Sequence, residues 1–172
     1  MIRTLHSIAL VLSLSYGCGG DPVSLKQAVI DRGKLICREA FRCRETYSRD
    51  IPFSVFFDSD ERACNARFAE LAMKYEAAEK RGTLSYSEDK YQICTNHGAQ
   101  FFPVQSCDVF WTATDSSPAP ECDTEITGYV ADGGVCVLDA ECSVAVSWCN
   151  GNKCEPALPT RSALAKFSAM LR

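Results

Sequence analysis

Histidine is almost absent from this sequence: His6 and His97 are the two among 172 residues. His6 lies in a stretch with the features of an export signal, so a processed chain keeps His97 alone. A Ser-His-Asp or Cys-His nucleophile pair would have to be built on it. It stands in Thr95-Asn96-His97-Gly98, the expected C-terminal end of a helix, where an imidazole commonly acts as a solvated cap. Long apolar runs are missing too. The run at residues 8–14 is well short of the roughly 20 residues a bilayer-spanning helix needs, so nothing after residue 17 is expected to cross a membrane. No Gly-rich phosphate loop or dinucleotide fingerprint occurs, and no two cysteines have the two-residue spacing of a zinc knuckle. No cofactor and no metal are therefore expected. Positive charge is also short: with Arg3 removed from the 18 basic residues, 17 face 22 acidic ones, a net of −5 that leaves no electrostatic case for nucleic acid.

Cysteine is what the chain has in excess. Eleven in 172 residues, behind an export signal, imply cystines formed in an oxidising compartment. The signal opens with Arg3, continues through Ile8-Ala9-Leu10-Val11-Leu12-Ser13-Leu14 and closes on the small residues Ser15 and Gly17. Two processing routes fit it. An ordinary signal peptidase could cut after Gly17, whereas Leu14-Ser15-Tyr16-Gly17-Cys18-Gly19-Gly20 resembles a bacterial lipobox, whose cysteine is acylated and becomes the N-terminus. Ser15 and Tyr16 depart from the usual lipobox pattern. Parity favours the lipid: without Cys18, ten cysteines remain (Cys37, Cys43, Cys64, Cys94, Cys107, Cys122, Cys136, Cys142, Cys149 and Cys154), enough for five cystines with none left over. Gly19 after Cys18 resembles the default sorting signal for the outer membrane.

Along the chain, residues 1–17 read as signal peptide, 18–24 as lipid-attachment tether, 25–111 as a helical domain, 112–121 as a Pro- and Ser-bearing linker, 122–156 as a cysteine-rich module and 157–172 as a tail able to form a short helix. Charge separates the two larger parts. Arg32, Lys34, Arg38, Arg42, Arg44 and Arg49 crowd the first, while residues 122–156 hold six acids against Lys153 alone.

The expected fold is mostly α, a disulfide-braced helical bundle followed by a small disulfide-rich module with short β-hairpins. The clearest helix runs from Asp58 to Arg81. Asp58 and Glu61 have capping-box spacing, Lys80 and Arg81 suit the negative end of the dipole, Gly82 supplies the stop, and Cys64, Phe68, Leu71, Tyr75 and Ala78 make one apolar stripe. A helix over about residues 23–43 places Leu25, Val29, Ile36 and Ala40 on one side. A third begins near Ser85, spaced from Glu88 as in a capping box, and ends about Gly98. Later, Asp132-Gly133 and Asn150-Gly151 mark turns between β-prone runs. A module of about 35 residues is below the size at which a chain usually folds without staples, so its cystines are structurally necessary.

Cys136, Cys142, Cys149 and Cys154, separated by five, six and four residues, with Gly134 ahead and Glu141 before the second cysteine, resemble the Dickkopf N-terminal cysteine-rich module. The wider order, a helical cysteine-bearing half followed by Cys122, Gly128, Gly133 and these four, is similar to bacterial lipoproteins carrying such a module. The resemblance implies an architecture and no mechanism, and the signalling role of animal Dickkopf proteins does not carry over. Ten cysteines allow about 945 pairings, so connectivity does not follow from the count. Within the last four, Cys136 is expected to bond Cys149 and Cys142 to bond Cys154.

Asp58, Asp60 and Glu61 are the nearest approach to paired catalytic carboxylates, but a helix start accounts for them. Trp111, Tyr129 and Trp148 are the candidate binding surface, since aromatic side chains on cystine-braced loops make rigid contacts with protein or glycan; packing against a cystine is the alternative role. The sequence thus points to a non-enzymatic cell-envelope lipoprotein, a binding or structural module held to the membrane through a lipid on Cys18, at the outer membrane or cell surface or else secreted. A hydrolase inhibitor presenting rigid loops is the second reading, and an enzyme the third.

Overall fold

A computed structural model describes residues 22–101, 106–113, 124–144 and 147–156, with the side chains of 97–101, 109, 112 and 113 excepted. The signal, Cys18, the residues 114–121 expected as linker, Cys122 and the tail 157–172 lie outside the described residues. The described chain is mostly helical: α1 (Leu25–Arg42), α2 (Phe53–Phe57), α3 (Glu61–Arg81), α4 (Glu88–Phe101) and α5 (Cys107–Ala113), with two antiparallel two-stranded sheets, β1 (Leu84–Tyr86) with β2 (Ile126–Gly128) and β3 (Ser147–Asn150) with β4 (Lys153–Pro156).

The packing of α1 against α3 forms the centre of the fold. Ser24 caps α1 by accepting from the Gln27 amide at 3.2 Å, and Leu25, Ala28, Val29, Gly33, Cys37 and Ala40 turn inward. Ile36, expected with them, is half-buried, because the seam runs through Gly33 and Cys37 one turn apart. A Cβ on Gly33 would overlap the ring of Phe68, so this glycine sets how closely the two helices approach. Cys37 bonds Cys64, and Lys26 meets Glu76 at 3.3 Å. These three levels put the start of α1 beside the end of α3.

In α3, Cys64, Phe68, Leu71 and Ala78 are buried and Tyr75 packs on the core, as the apolar stripe requires. The start of the helix differs from expectation. Asp60, not Asp58, is the N-cap, accepting from the Ala63 amide at 2.9 Å. Asp58 instead ends α2 with φ of 64° and ψ of −169°, outside the left-handed helical well and in a region ordinarily left to glycine, and its Oδ2 lies 3.2 Å from Arg67 Nε. Gly82, at φ 71°, closes α3 as the left-handed cap, its amide donating to Ala78 and Glu79.

The third helix also starts later than its spacing suggests. Ser85 lies in β1, whose pairing with β2, Leu84 opposite Gly128 and Tyr86 opposite Ile126, outweighs a local cap; α4 begins at Glu88 and continues past Gly98 to Phe101.

Two turns follow expectation differently. The β3–β4 hairpin forms, with Cys149 opposite Cys154 and the left-handed pair Gly151 (φ 56°) and Asn152 (φ 65°) at its tip. Asp132-Gly133 does turn, Gly134 donating to Ala131 O, but its flanks do not pair with each other: Val130 bridges Cys142 and Val135 bridges Lys153. Cys136–Cys149 and Cys142–Cys154 then tie the hairpin to the preceding loop by the expected crossed pairing.

Candidate functional site

Two buried carboxylates join the cysteine-rich part to the helices. Glu141 is 1% exposed, in a short 3-10 turn, Asp139–Glu141. Its Oε1 accepts from Arg81 at 2.7 Å and from the Thr83 hydroxyl at 2.5 Å, while Oε2 accepts from the amides of Val137 at 2.5 Å and Leu138 at 2.8 Å. Burial alone would raise the Glu141 pKa. The Thr83, Val137, Arg81 and Leu138 donors outweigh it and hold the carboxyl below the ordinary glutamate value.

Glu125, 3% exposed, receives both Nη atoms of Arg32, and Arg32 Nη2 also lies 3.3 Å from Cys94 Sγ with its guanidinium over the Tyr91 ring. Tyr75 and Tyr86 feel this centre. Burial pushes the Tyr75 hydroxyl up to about 12 and raises that of Tyr86 further. Two charge pairs thus join the parts, Arg32 with Glu125 and Arg81 with Glu141, and Arg32 alone comes from the basic run read in the sequence. The other cations of the run are held too: Arg38 and Arg42 on buried Glu39, Lys34 beside Asp31, Arg44 over the Phe53 ring, and Arg49 on the Trp111 carbonyl.

The three candidate aromatics have different fates. Trp111 is interior, donating through Nε1 to Cys43 O at 3.2 Å and Thr46 Oγ1 at 3.0 Å, and it meets Tyr47, Phe53, Phe57 and Phe110 beside the Cys43–Cys107 bridge. It offers no contact surface. Its ring is packed among other aromatic rings. Tyr129 is 57% exposed, with its hydroxyl 2.6 Å from Ser85 Oγ. Trp148 is half-buried on β3, opposite Glu155. Val135 and Val137, which sequence reasoning did not single out, are 75% and 55% exposed on the same module; an exposed valine leaves no periodic signal in a loop.

The sulfurs of Cys136, Cys142 and Cys154 lie within 4.8 Å of one another, a metal-like grouping, but each is already spent in a bridge. Asp58, Asp60 and Glu61 stay at the α2–α3 junction, where Asp58 meets Arg67, Asp60 caps α3 and Glu61 opens it. No helix among the described residues is long and apolar enough to cross a membrane.

Nine of the ten expected cystine cysteines are disulfide-bonded: eight in Cys37–Cys64, Cys43–Cys107, Cys136–Cys149 and Cys142–Cys154, and Cys94 to a partner outside the described residues. Neither protein-family models, curated proteins nor solved structures yield a match to this chain.

Proposed function

We propose that this is an exported, non-enzymatic cell-envelope lipoprotein, anchored through Cys18 and serving as a binding or structural module outside the cytoplasm. The observation that carries the reading is the disulfide framework, which is compatible with an oxidising compartment and agrees with the export signal. The ionisable centres support the non-enzymatic part, since Glu141, Glu125 and Glu39 are saturated by partners that hold the fold together. In this reading the Dickkopf-like cysteine spacing marks a compact module and not a signalling role.

Cys94 offers a first test. Cys122 and Cys18 are the cysteines left to pair with it. The anchor requires Cys122. Peptide mapping of the non-reduced protein should return a Cys94–Cys122 peptide and no free thiol; a Cys18–Cys94 peptide would remove the anchor.

The second test addresses the anchor itself. Wild type in a bacterial host should take up a fatty-acid probe and stay with membranes through high-salt washing, since several acyl chains anchor stably where one binds marginally. Cys18→Ser should lose the label while keeping all five cystines. An unlabelled, soluble wild type would mean secretion after cleavage at Gly17.

A further inference from the structure

Where the anchor is attached decides which end of the molecule meets the membrane. Cys18 is four residues before Pro22, the first described residue, and four residues reach at most about 14 Å in any conformation. The tether therefore brings the start of α1 close to the lipid. Val23 is fixed there, its amide donating to Glu88 Oε1 at 2.8 Å at the head of α4.

The antiparallel register of α1 and α3 puts that end beside the last turn of α3, where Lys26 pairs with Glu76. The cysteine module docks on the same turn: Arg81 and Thr83 hold Glu141, and the Tyr129 amide donates to Thr83 O at 2.9 Å. The opposite end of the helix pair carries Cys43, Phe53 and Trp111, roughly 30 Å away along the 21 residues of α3.

The module docked beside that end exposes Tyr129, Val135 and Val137. Val137 is placed by its amide on Glu141, and Tyr129 by Thr83. Apolar side chains with a tyrosine among them suit the water–hydrocarbon boundary, where a ring can sit among headgroups with its hydroxyl wet.

We propose that the cysteine-rich module is the membrane-facing end of the protein, resting on the lipid surface through Tyr129, Val135 and Val137, and that the α2 end is the one held outward. This rests on the Cys18 anchor. It assigns the module to the membrane surface and leaves the α2 end available to partners.

The test uses the acylated full chain in vesicles of phosphatidylethanolamine and phosphatidylglycerol carrying a headgroup acceptor dye. A donor dye is placed through a clickable residue at Val137 in one protein and at Val55, 59% exposed on α2, in another. Transfer from position 137 should exceed that from position 55 by about twofold or more, because the ~30 Å spanned by α3 is comparable with the working range of a resonance pair. Adding Tyr129→Ser and Val135→Asp to the protein labelled at 137 should lower its transfer. Equal or reversed transfer from proteins that float with the vesicles would overturn the orientation and leave the anchor standing, and unchanged transfer in the double variant would overturn the contact. A wild type that takes no fatty-acid label and does not float would end the anchor reading, and this orientation with it.

Discussion

Glu141→Ala should destabilise the protein by about 3–5 kcal/mol, the cost of removing one partner from a buried, hydrogen-bonded charge pair. Four donors converge on that carboxylate, two from the end of α3 and two from the backbone of its own loop, and all four lose their acceptor together. Glu141→Gln should recover little. Its amide nitrogen would face either the Val137 and Leu138 amides or the Arg81 and Thr83 donors, a donor against donors. Arg81→Ala should cost much less, because the Arg81 side chain is 45% exposed and water can replace it. Urea unfolding midpoints with disulfides intact would measure the series; an Arg81→Ala loss equal to that of Glu141→Ala would place the energy in the ion pair and not in the four-donor node. The node also has a pH signature. A carboxyl held below its ordinary pKa contributes stability that is fully present above the unfolded value and lost as the pH falls through the folded one, so the wild-type advantage over Glu141→Ala should fade only on acidification below the ordinary glutamate range.

Leu71→Ala should cost about 2–5 kcal/mol, and Lys74→Ala, less than one turn away on the same helix, should stay within about 0.5 kcal/mol. Leu71 is buried at the α1–α3 seam beside Phe68 and Ala72, whereas Lys74 is exposed. Alanine is a better helix former than leucine, so the loss measures packing and not propensity. Thermal midpoints that coincide for the two variants would show that the buried face of α3 has been misassigned.

What could be read from the sequence follows the range of the interactions involved. The stripe of α3 and its Gly82 stop were legible because periodicity and a left-handed cap are properties of a single helix. The crossed pairing of Cys136 with Cys149 and Cys142 with Cys154 agreed with expectation, and so did the hairpin tip. Asp58 was misread as a cap because the five-residue helix ahead of it is too short to show a period, and that helix takes Asp58 as its end. Ser85 looked like a cap because its strand partner, Thr127, is forty-two residues on and across the part expected as a linker. The docking carboxylates were illegible for the same reason: a glutamate that will be buried by Arg32 or Arg81 looks, in sequence, like any surface acid. Trp111 shows the limit for aromatics. Nothing local distinguishes a ring facing solvent from one donating to Cys43 O.

The bridges have a further consequence for how the chain responds to proteolysis. Cys37–Cys64 and Cys43–Cys107 overlap, so any single cut between residues 37 and 107 falls inside a closed covalent ring and releases no fragment. A cut at the exposed Gly151-Asn152 tip leaves Cys154 tied to Cys142 in the same way. Nicking would change the number of chain ends without changing the number of molecules, and a nicked protein would keep its mass, apart from one added water, until its cystines were reduced.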